Sequence, residues 1–239
     1  VRPGAFCWGR RMFKACAVIP VYNHEQALPA VVAQLQAAGL PCVLVDDASR
    51  PACAAVIQAL AEQAQVYAVR LLANQGKGGA VMSGLREAAR LGFSHALQVD
   101  ADGQHDLQAV PGFLALAQDE PAALVCGYPQ YDASVPKARL YARYLTHVWV
   151  WINCLSLDIR DSMCGFRVYP LAATVALIDA VSIGRRMDFD TEILVRLAWR
   201  QQPMRWLPVR VQYPADGLSH FRLWQDNALI SLMHAKLFA

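Results

Sequence analysis

Ala96-Leu97-Gln98-Val99-Asp100-Ala101-Asp102-Gly103-Gln104-His105 decides how the rest of this chain is read. The first four residues are a short, mainly apolar run that reads as a buried strand. The last six are polar or small. Two carboxylates at i and i+2, at the carboxyl end of a strand, can converge on one hard cation, and such a cation commonly holds phosphate oxygens. The same six residues can equally form a plain polar turn, so their surroundings have to decide between the two.

Strand and helix signals alternate around that stretch. Apolar runs at 15–19, 42–45, 66–71, 96–99 and 122–126 predict strands. Leu28, Val31, Val32 and Leu35 recur at helical spacing up to Gly39. Cys53, Val56, Ile57 and Leu60 mark a second helix, Val81, Leu85 and Ala88 a third that stops near Gly92, and 107–118 a fourth. Such alternation predicts an α/β fold, with a mostly parallel central sheet and helices on both faces. Ligands of such sheets bind at the carboxyl ends of the strands. Four polar clusters fall there: Tyr22-Asn23-His24-Glu25, Asp46-Asp47-Ala48-Ser49, Asn74-Gln75-Gly76-Lys77-Gly78-Gly79 and Asp100-Ala101-Asp102. Random surface loops would not line up in this way.

Beyond residue 130 the pattern is less regular. Residues 136–157 read as a long helix with Leu140, Tyr144, His147 and Trp151 on one side. Residues 161–167 read as a polar, glycine-containing turn, 188–199 as a helix, 204–213 as a strand between Pro203 and Pro214, and 223–237 as a closing helix. No repeat or linker splits the chain. The expected organisation is a basic arm over 1–14 followed by a single domain over 15–239.

Bulk properties narrow the field. The 239 residues are 56% hydrophobic and 17% charged, enough to bury a real core and too apolar for a disordered chain. A net charge of +3, with no block of like charges, gives no reason to expect nucleic acid as a partner. Seven scattered cysteines without a C-x-x-C pair read as buried thiols of a reducing compartment, not as a disulfide framework or zinc site. No run of 18 uncharged apolar residues predicts a membrane-spanning helix. Residues 1–14 lack the apolar stretch of a signal peptide, and Met12 is a candidate start.

Each cluster has its own chemistry. Asp46 and Asp47 close the second strand, where a carboxylate can accept hydrogen bonds from ribose hydroxyls or a base N–H; Asp47 or Ser49 can also cap the helix that follows. In the third cluster the glycines let backbone approach a ligand, and Lys77 brings positive charge near a helix N-terminus; a simple turn and helix start is the other reading. That loop is not a Walker A sequence, and no G-x-G-x-x-G follows the first strand, which disfavours a dinucleotide site.

In order along the chain, the clusters resemble those of the family 2 glycosyltransferases, which have the GT-A fold. Pro20-Val21-Tyr22-Asn23 with Glu25 looks like the family's P-x-Y-N-x-E, Asp46-Asp47-Ala48-Ser49 like its D-D-x-S, and residues 74–80 like its N-x-G-K-G-x-A. Asp100-Ala101-Asp102-Gly103-Gln104-His105 is similar to the D-A-D-x-Q-H of the branch containing dolichyl-phosphate mannose synthase. Asp161-Ser162-Met163-Cys164-Gly165-Phe166-Arg167 is similar to that branch's D-x-x-S-G-F-R, with Cys164 where Ser is usual.

The resemblance implies a metal-dependent, inverting transfer of a sugar from a nucleoside-diphosphate donor to a lipid-linked or polyprenyl-phosphate acceptor. It divides the domain into a nucleotide-sugar-binding half over 15–130 and an acceptor half over 131–239. Pro20, Tyr22, Asn23, Glu25, Asp46 and Asp47 would hold base and ribose, with Asn74, Gly76, Lys77 and Asp100 lining the nucleotide pocket. Asp100, Asp102 and Gln104 would surround Mg²⁺ or Mn²⁺ on the diphosphate. A hydroxyl acceptor wants a general base, whereas a phosphate acceptor is already anionic. Asp161 is the first candidate for a base or acceptor-orienting group. Asp190 and Glu192 come second, and they can instead be carboxylates that favour a helix N-terminus. Arg167 and Arg139 are candidates for an acceptor phosphate, though Arg139 can equally be a surface residue. His220 stands where a late G-x-S-K loop usually has Lys, and a neutral His brings less charge to an acceptor.

Trp149, Trp151, Tyr141 and Tyr144 are either core or lipid-facing at a bilayer surface. The chain lacks the C-terminal membrane spans of many relatives, so the expectation is a cytoplasmic enzyme, at most peripheral on the inner face of a membrane. Three rivals remain: a nucleotidyltransferase, a glycosyltransferase acting on a soluble or other lipid hydroxyl acceptor, and a non-catalytic nucleotide-sugar-binding module. The first normally carries a Gly- and Arg-rich loop where this chain has Pro20-Val21-Tyr22-Asn23. The last would not need Asp100, Asp102 and Gln104.

Overall fold

A computed structural model describes residues 12–130, 137–210 and 223–238, without the side chains of 137–145, 223 and 224. Four strands follow the expected apolar runs: β1 (Ala15–Val21), β2 (Cys42–Asp46), β3 (Val66–Arg70) and β4 (His95–Gln98). They pair in parallel in the order β3-β2-β1-β4. The connections are α1 (Leu28–Ala37), α2 (Pro51–Ala61) and α3 (Gly76–Arg90). Proline in the first turn of α1 and of α2 fits their starts, because a proline there removes only a donor that has no helical partner.

The sheet continues through β6 (Arg167–Pro170), β5 (Leu124–Gln130) and β7 (Met204–Arg210), giving the order β3-β2-β1-β4-β6-β5-β7. β6 is antiparallel to both neighbours, and β5 and β7 run parallel. Helix α4 (Val110–Asp119) precedes β5, α5 (Lys137–Cys154) follows it, and α6 (Leu171–Ala180), α7 (Phe189–Trp199) and α8 (Leu223–Phe238) complete the chain. The result is an α/β fold with a mostly parallel mixed sheet.

Strand alternation sends side chains to two separate cores. Cys16 and Val18 of β1 join the core under α3 and α5 to α8, whereas Ala17, Ile19 and Val21 join the core under α1, α2 and α4. Both faces are therefore covered, which is why the strands read as continuous apolar runs. The six described cysteines are free thiols, five of them buried, and burial pushes Cys42 and Cys126 up to about 12. No described helix is long and apolar enough to cross a membrane.

Three features differ from the expectation. The fourth region, read as one helix from 107, opens with a 3-10 turn at Leu107–Ala109. The turn over 161–167 ends one residue early, because Arg167 begins β6, a strand the sequence does not announce. Helix α6 follows immediately and is not announced by the sequence either: its apolar residues occur all round it, so no helical stripe stands out. Residues 211–213 of the expected last strand lie outside the described residues.

Candidate active site

The first four clusters do converge at the carboxyl ends of β1, β2 and β4 and the start of α3. Asn23 and Ala48 both have positive φ, at 58°, so the chain turns sharply off β1 and off β2. The two turns are stitched together. The Asn23 amide donates to Ser49 Oγ at 3.2 Å, and the Arg50 amide donates to Asn23 Oδ1 at 2.9 Å. Tyr22 stands 37% exposed beside them, and Glu25 Oε2 is buried with no hydrogen-bond partner.

Asp46 and Asp47 are both buried and both engaged. Asp46 pairs with Arg70 through Oδ2 and accepts the Ser49 amide at 2.8 Å through Oδ1. Asp47 accepts the amides of Gln75 at 2.6 Å and Gly76 at 2.9 Å, so it caps α3 across the sheet edge. Burial pushes its carboxyl up, against the pull of those two amides and of Arg186. Asn74 Nδ2 donates to the Asp47 carbonyl at 3.2 Å.

The glycines of the third cluster approach protein. Residues 76–80 are the first turn of α3, not a loop before it. A Cβ on Gly76 would stand 2.7 Å from the Arg185 carbonyl, and one on Gly78 would stand 2.3 Å from Phe189 Cβ. The Gly79 amide donates to the Arg185 carbonyl at 2.9 Å. These glycines let α3 sit against residues 184–189 of the second half.

Lys77 links the two halves chemically. Its Nζ lies 2.9 Å from Asp100 Oδ2 and 3.0 Å from Asp190 Oδ2. Burial opposes its charge, but the two carboxylates outweigh burial and push Lys77 up. Burial likewise opposes ionisation of Asp100, and Lys77 outweighs it, so Asp100 is lowered. Asp190 Oδ1 accepts from Gln98 Nε2 at 3.0 Å, and Gln98 Oε1 accepts from the Tyr169 hydroxyl at 3.1 Å. This row of buried partners fixes Asp190 beside Asp100.

Asp100 Oδ1 is buried with no hydrogen-bond partner. Asp102 follows on the turn, accepting the Gln104 amide at 3.0 Å, with positive φ at Gly103. Among the described residues no three acidic, His or Cys side chains converge on one point. The residues that the resemblance implies for a cation, Asp100, Asp102 and Gln104, offer two carboxylates and one amide oxygen. That all-oxygen set suits Mg²⁺ or Mn²⁺, and the unpartnered Asp100 oxygen is the atom such an ion would satisfy. His105 packs its ring 5.2 Å from that of Phe166, with Nδ1 buried and unpartnered; burial holds its imidazole down.

The candidates from the second half separate. Asp161 is buried and shapes its own turn, accepting the Met163 amide at 3.0 Å and the Cys164 amide at 2.7 Å. Glu192 faces away from Asp100. It accepts the Gly184 amide at 2.7 Å and pairs with Arg196 and Lys236, on the side of α8. Arg167 is fully buried and donates to the carbonyls of Asp190 at 2.6 Å and Ser162 at 2.8 Å. It thus holds site segments in place instead of facing an acceptor. The side chain of Arg139, and all of His220, lie outside the described residues.

Sequence reasoning passed over Gln98, Tyr169 and Arg186. A glutamine inside a fully buried four-residue strand was the available signal for Gln98. Tyr169 and Arg186 had none, since neither belongs to a cluster.

The fold has close counterparts among solved structures. Glucosyl-3-phosphoglycerate synthase from Mycobacterium tuberculosis superposes with a TM-score of 0.68 at 16% identity, over 95% of this chain and 79% of that one. TarS from S. aureus with UDP-GlcNAc gives 0.61 at 13% identity, over 94% and 66%. At these identities the likeness shows the GT-A fold alone. In sequence, the dolichyl-phosphate beta-glucosyltransferase of Dictyostelium discoideum is 26% identical over 74% of this chain and 60% of its own length. The undecaprenyl-phosphate mannosyltransferase of Micrococcus luteus is 27% identical over 77% and 78%. The chain spans 60 to 70% of the length of the dolichyl-phosphate glucosyltransferases it matches. The family model described as glycosyl transferase family 2 matches residues 16–172, well over half of the chain, and the protein belongs to that family.

Proposed function

We propose that this chain is the catalytic domain of a metal-dependent, inverting glycosyltransferase that moves a sugar from a nucleoside-diphosphate donor to a polyprenyl-phosphate or other lipid-linked acceptor. The observation that carries it is the buried, unpartnered Asp100 Oδ1 at the carboxyl ends of the central strands, with Asp102 and Gln104 on the same turn. Relatives named for dolichyl-, polyprenol- and undecaprenyl-phosphate substrates support the acceptor class.

Asp100, Asp102 and Gln104 would hold Mg²⁺ or Mn²⁺, which supplies Lewis-acid stabilisation of charge on the departing diphosphate. The remaining work falls to the chain. Tyr22 and the turn at Asn23 border the base and ribose side, together with Asp46, Asp47 and Glu25. Lys77 and Gln98 hold Asp190 beside Asp100. An acceptor phosphate needs no base. For a hydroxyl acceptor, Asp161 and Asp190 are both candidates to take the proton: Asp161 accepts two amides of its own turn through Oδ1, and Asp190 is held by Lys77 and Gln98 beside Asp100.

Exposed apolar residues on the last turns of α5 and just beyond support peripheral contact with a lipid surface. Trp149 is 46% exposed and Leu155 92% exposed, whereas Trp151 is half-buried and donates to the Ile159 carbonyl. Trp151 is thus a core residue, and exposed Trp149 is the one left for a lipid contact.

A donor screen tests the proposal. Release of nucleoside diphosphate should require Mg²⁺ or Mn²⁺ and a polyprenyl-phosphate acceptor, and Asp102→Ala should slow it about 100-fold or more. No turnover with any donor would sink the enzyme reading; an Asp102→Ala rate equal to wild type would sink the metal assignment.

A further inference from the structure

Among the described residues, the cations that sequence motifs point to are already engaged: Lys77 on two carboxylates, Arg167 on two buried carbonyls. We propose that Arg186, with Arg185 beside it, is the phosphate-binding element of the site, presented on the turn over residues 184–188 against the first turn of α3. This assignment rests on the glycosyltransferase reading above.

The turn is rigidly built. The Gly184 amide donates to Glu192 Oε2 at 2.7 Å, the Arg186 amide to Asp188 Oδ1 at 3.0 Å, and the Arg185 carbonyl accepts the Gly79 amide at 2.9 Å. That gives buried Glu192 a purpose: it anchors the turn from behind. In front, the Arg186 side chain lies over Gly76, so closely that a Cβ on that glycine would stand 2.8 Å from Arg186 Cγ. Arg185 donates to Gln75 Oε1 at 3.3 Å. The Arg186 side chain is exposed and makes no hydrogen bond or ion pair with any described residue, yet its charge reaches Asp47 at the end of β2. An exposed arginine whose stem crosses Gly76 and whose charge reaches Asp47 borders the residues implied to hold the nucleotide. A guanidinium fork matches phosphate oxygens two at a time. The phosphate is that of the donor nucleotide or that of the acceptor lipid.

Calorimetric titration of the whole chain with UDP, GDP, uridine and guanosine in Mg²⁺ separates the sources. Its companion is co-sedimentation with neutral phospholipid vesicles with and without polyprenyl phosphate. Arg186→Gln should weaken the preferred nucleoside diphosphate about 10- to 100-fold and leave the nucleoside unchanged, with Arg186→Lys in between. A loss confined to vesicles carrying polyprenyl phosphate equally supports a phosphate contact and assigns it to the acceptor. Equal losses for nucleoside and diphosphate, or no loss with either probe, overturn the assignment. If the wild type binds neither nucleoside diphosphate nor polyprenyl phosphate, the glycosyltransferase reading itself fails and takes this one with it. An unchanged melting temperature for Arg186→Gln shows that any loss is not one of folding.

Discussion

Lys77 sits between two carboxylates that would otherwise face each other with little solvent to separate them. Its side chain is 18% exposed, and those of Asp100 and Asp190 are 25% and 7% exposed. Removing one partner from a buried ion pair leaves uncompensated charge, which costs more than the pair itself contributes. Lys77→Met should therefore lower stability by about 3 kcal/mol, measured by urea denaturation, and an unchanged midpoint would show that the bridge is idle. At this scale the sequence is legible in kind but not in partnership. Residue types at the strand ends announce a polar site. Nothing in the string tells that Asp47 caps α3, that Glu192 turns to α8, or that Arg167 is sealed beneath the site. Those facts depend on which elements become neighbours.

Helix α3 shows how an element can be read correctly and misjudged in purpose. Its glycines look like room for a ligand, and they are room for another part of the chain. A Cβ on Gly78 would overlap Phe189 Cβ at 2.3 Å, Phe189 Cγ at 2.7 Å and the Gly184 carbonyl at 2.9 Å. Gly78→Ala should cost about 1–3 kcal/mol through overpacking, although alanine is the better helix former. Gly112→Ala in α4 is the control: nothing lies within 4 Å of its Cβ position, and the change should raise stability by about 0.5–1 kcal/mol. Thermal melts of the two variants decide it, and a stabilised Gly78→Ala would refute the close packing. Strands β1, β2 and β4 are legible because both faces are buried and their runs are apolar; β3, at the sheet edge with only Val66 buried, is legible from its apolar, β-branched residues alone. Strand β6 is hidden because it has four residues, starts with an arginine and emerges from a polar turn. Helix α6 is hidden by being apolar all round.

For the molecule as a whole, the exposed apolar end of α5 sets an expectation about surfaces. Burying Trp149 or Leu155 in a lipid interface would contribute roughly 1.5–3 kcal/mol each. Trp149→Ser and Leu155→Ser should each reduce co-sedimentation with lipid vesicles about tenfold, with nucleotide binding unchanged. Equal sedimentation of variants and wild type would return these residues to ordinary surface. The two halves, for their part, share one sheet: β6, from the second, lies between β4 and β5 of the first.

That interleaving has a consequence for synthesis. A nascent chain that has cleared the ribosome only as far as residue 130 carries every strand-end motif and still has no site. Its β4 and β5 wait for a strand between them, and Gln98 waits for Asp190, 92 positions later. Contacts of such long sequence separation form late. The complete site, and the ligand affinity that depends on it, is therefore expected only once the second half has folded onto the first.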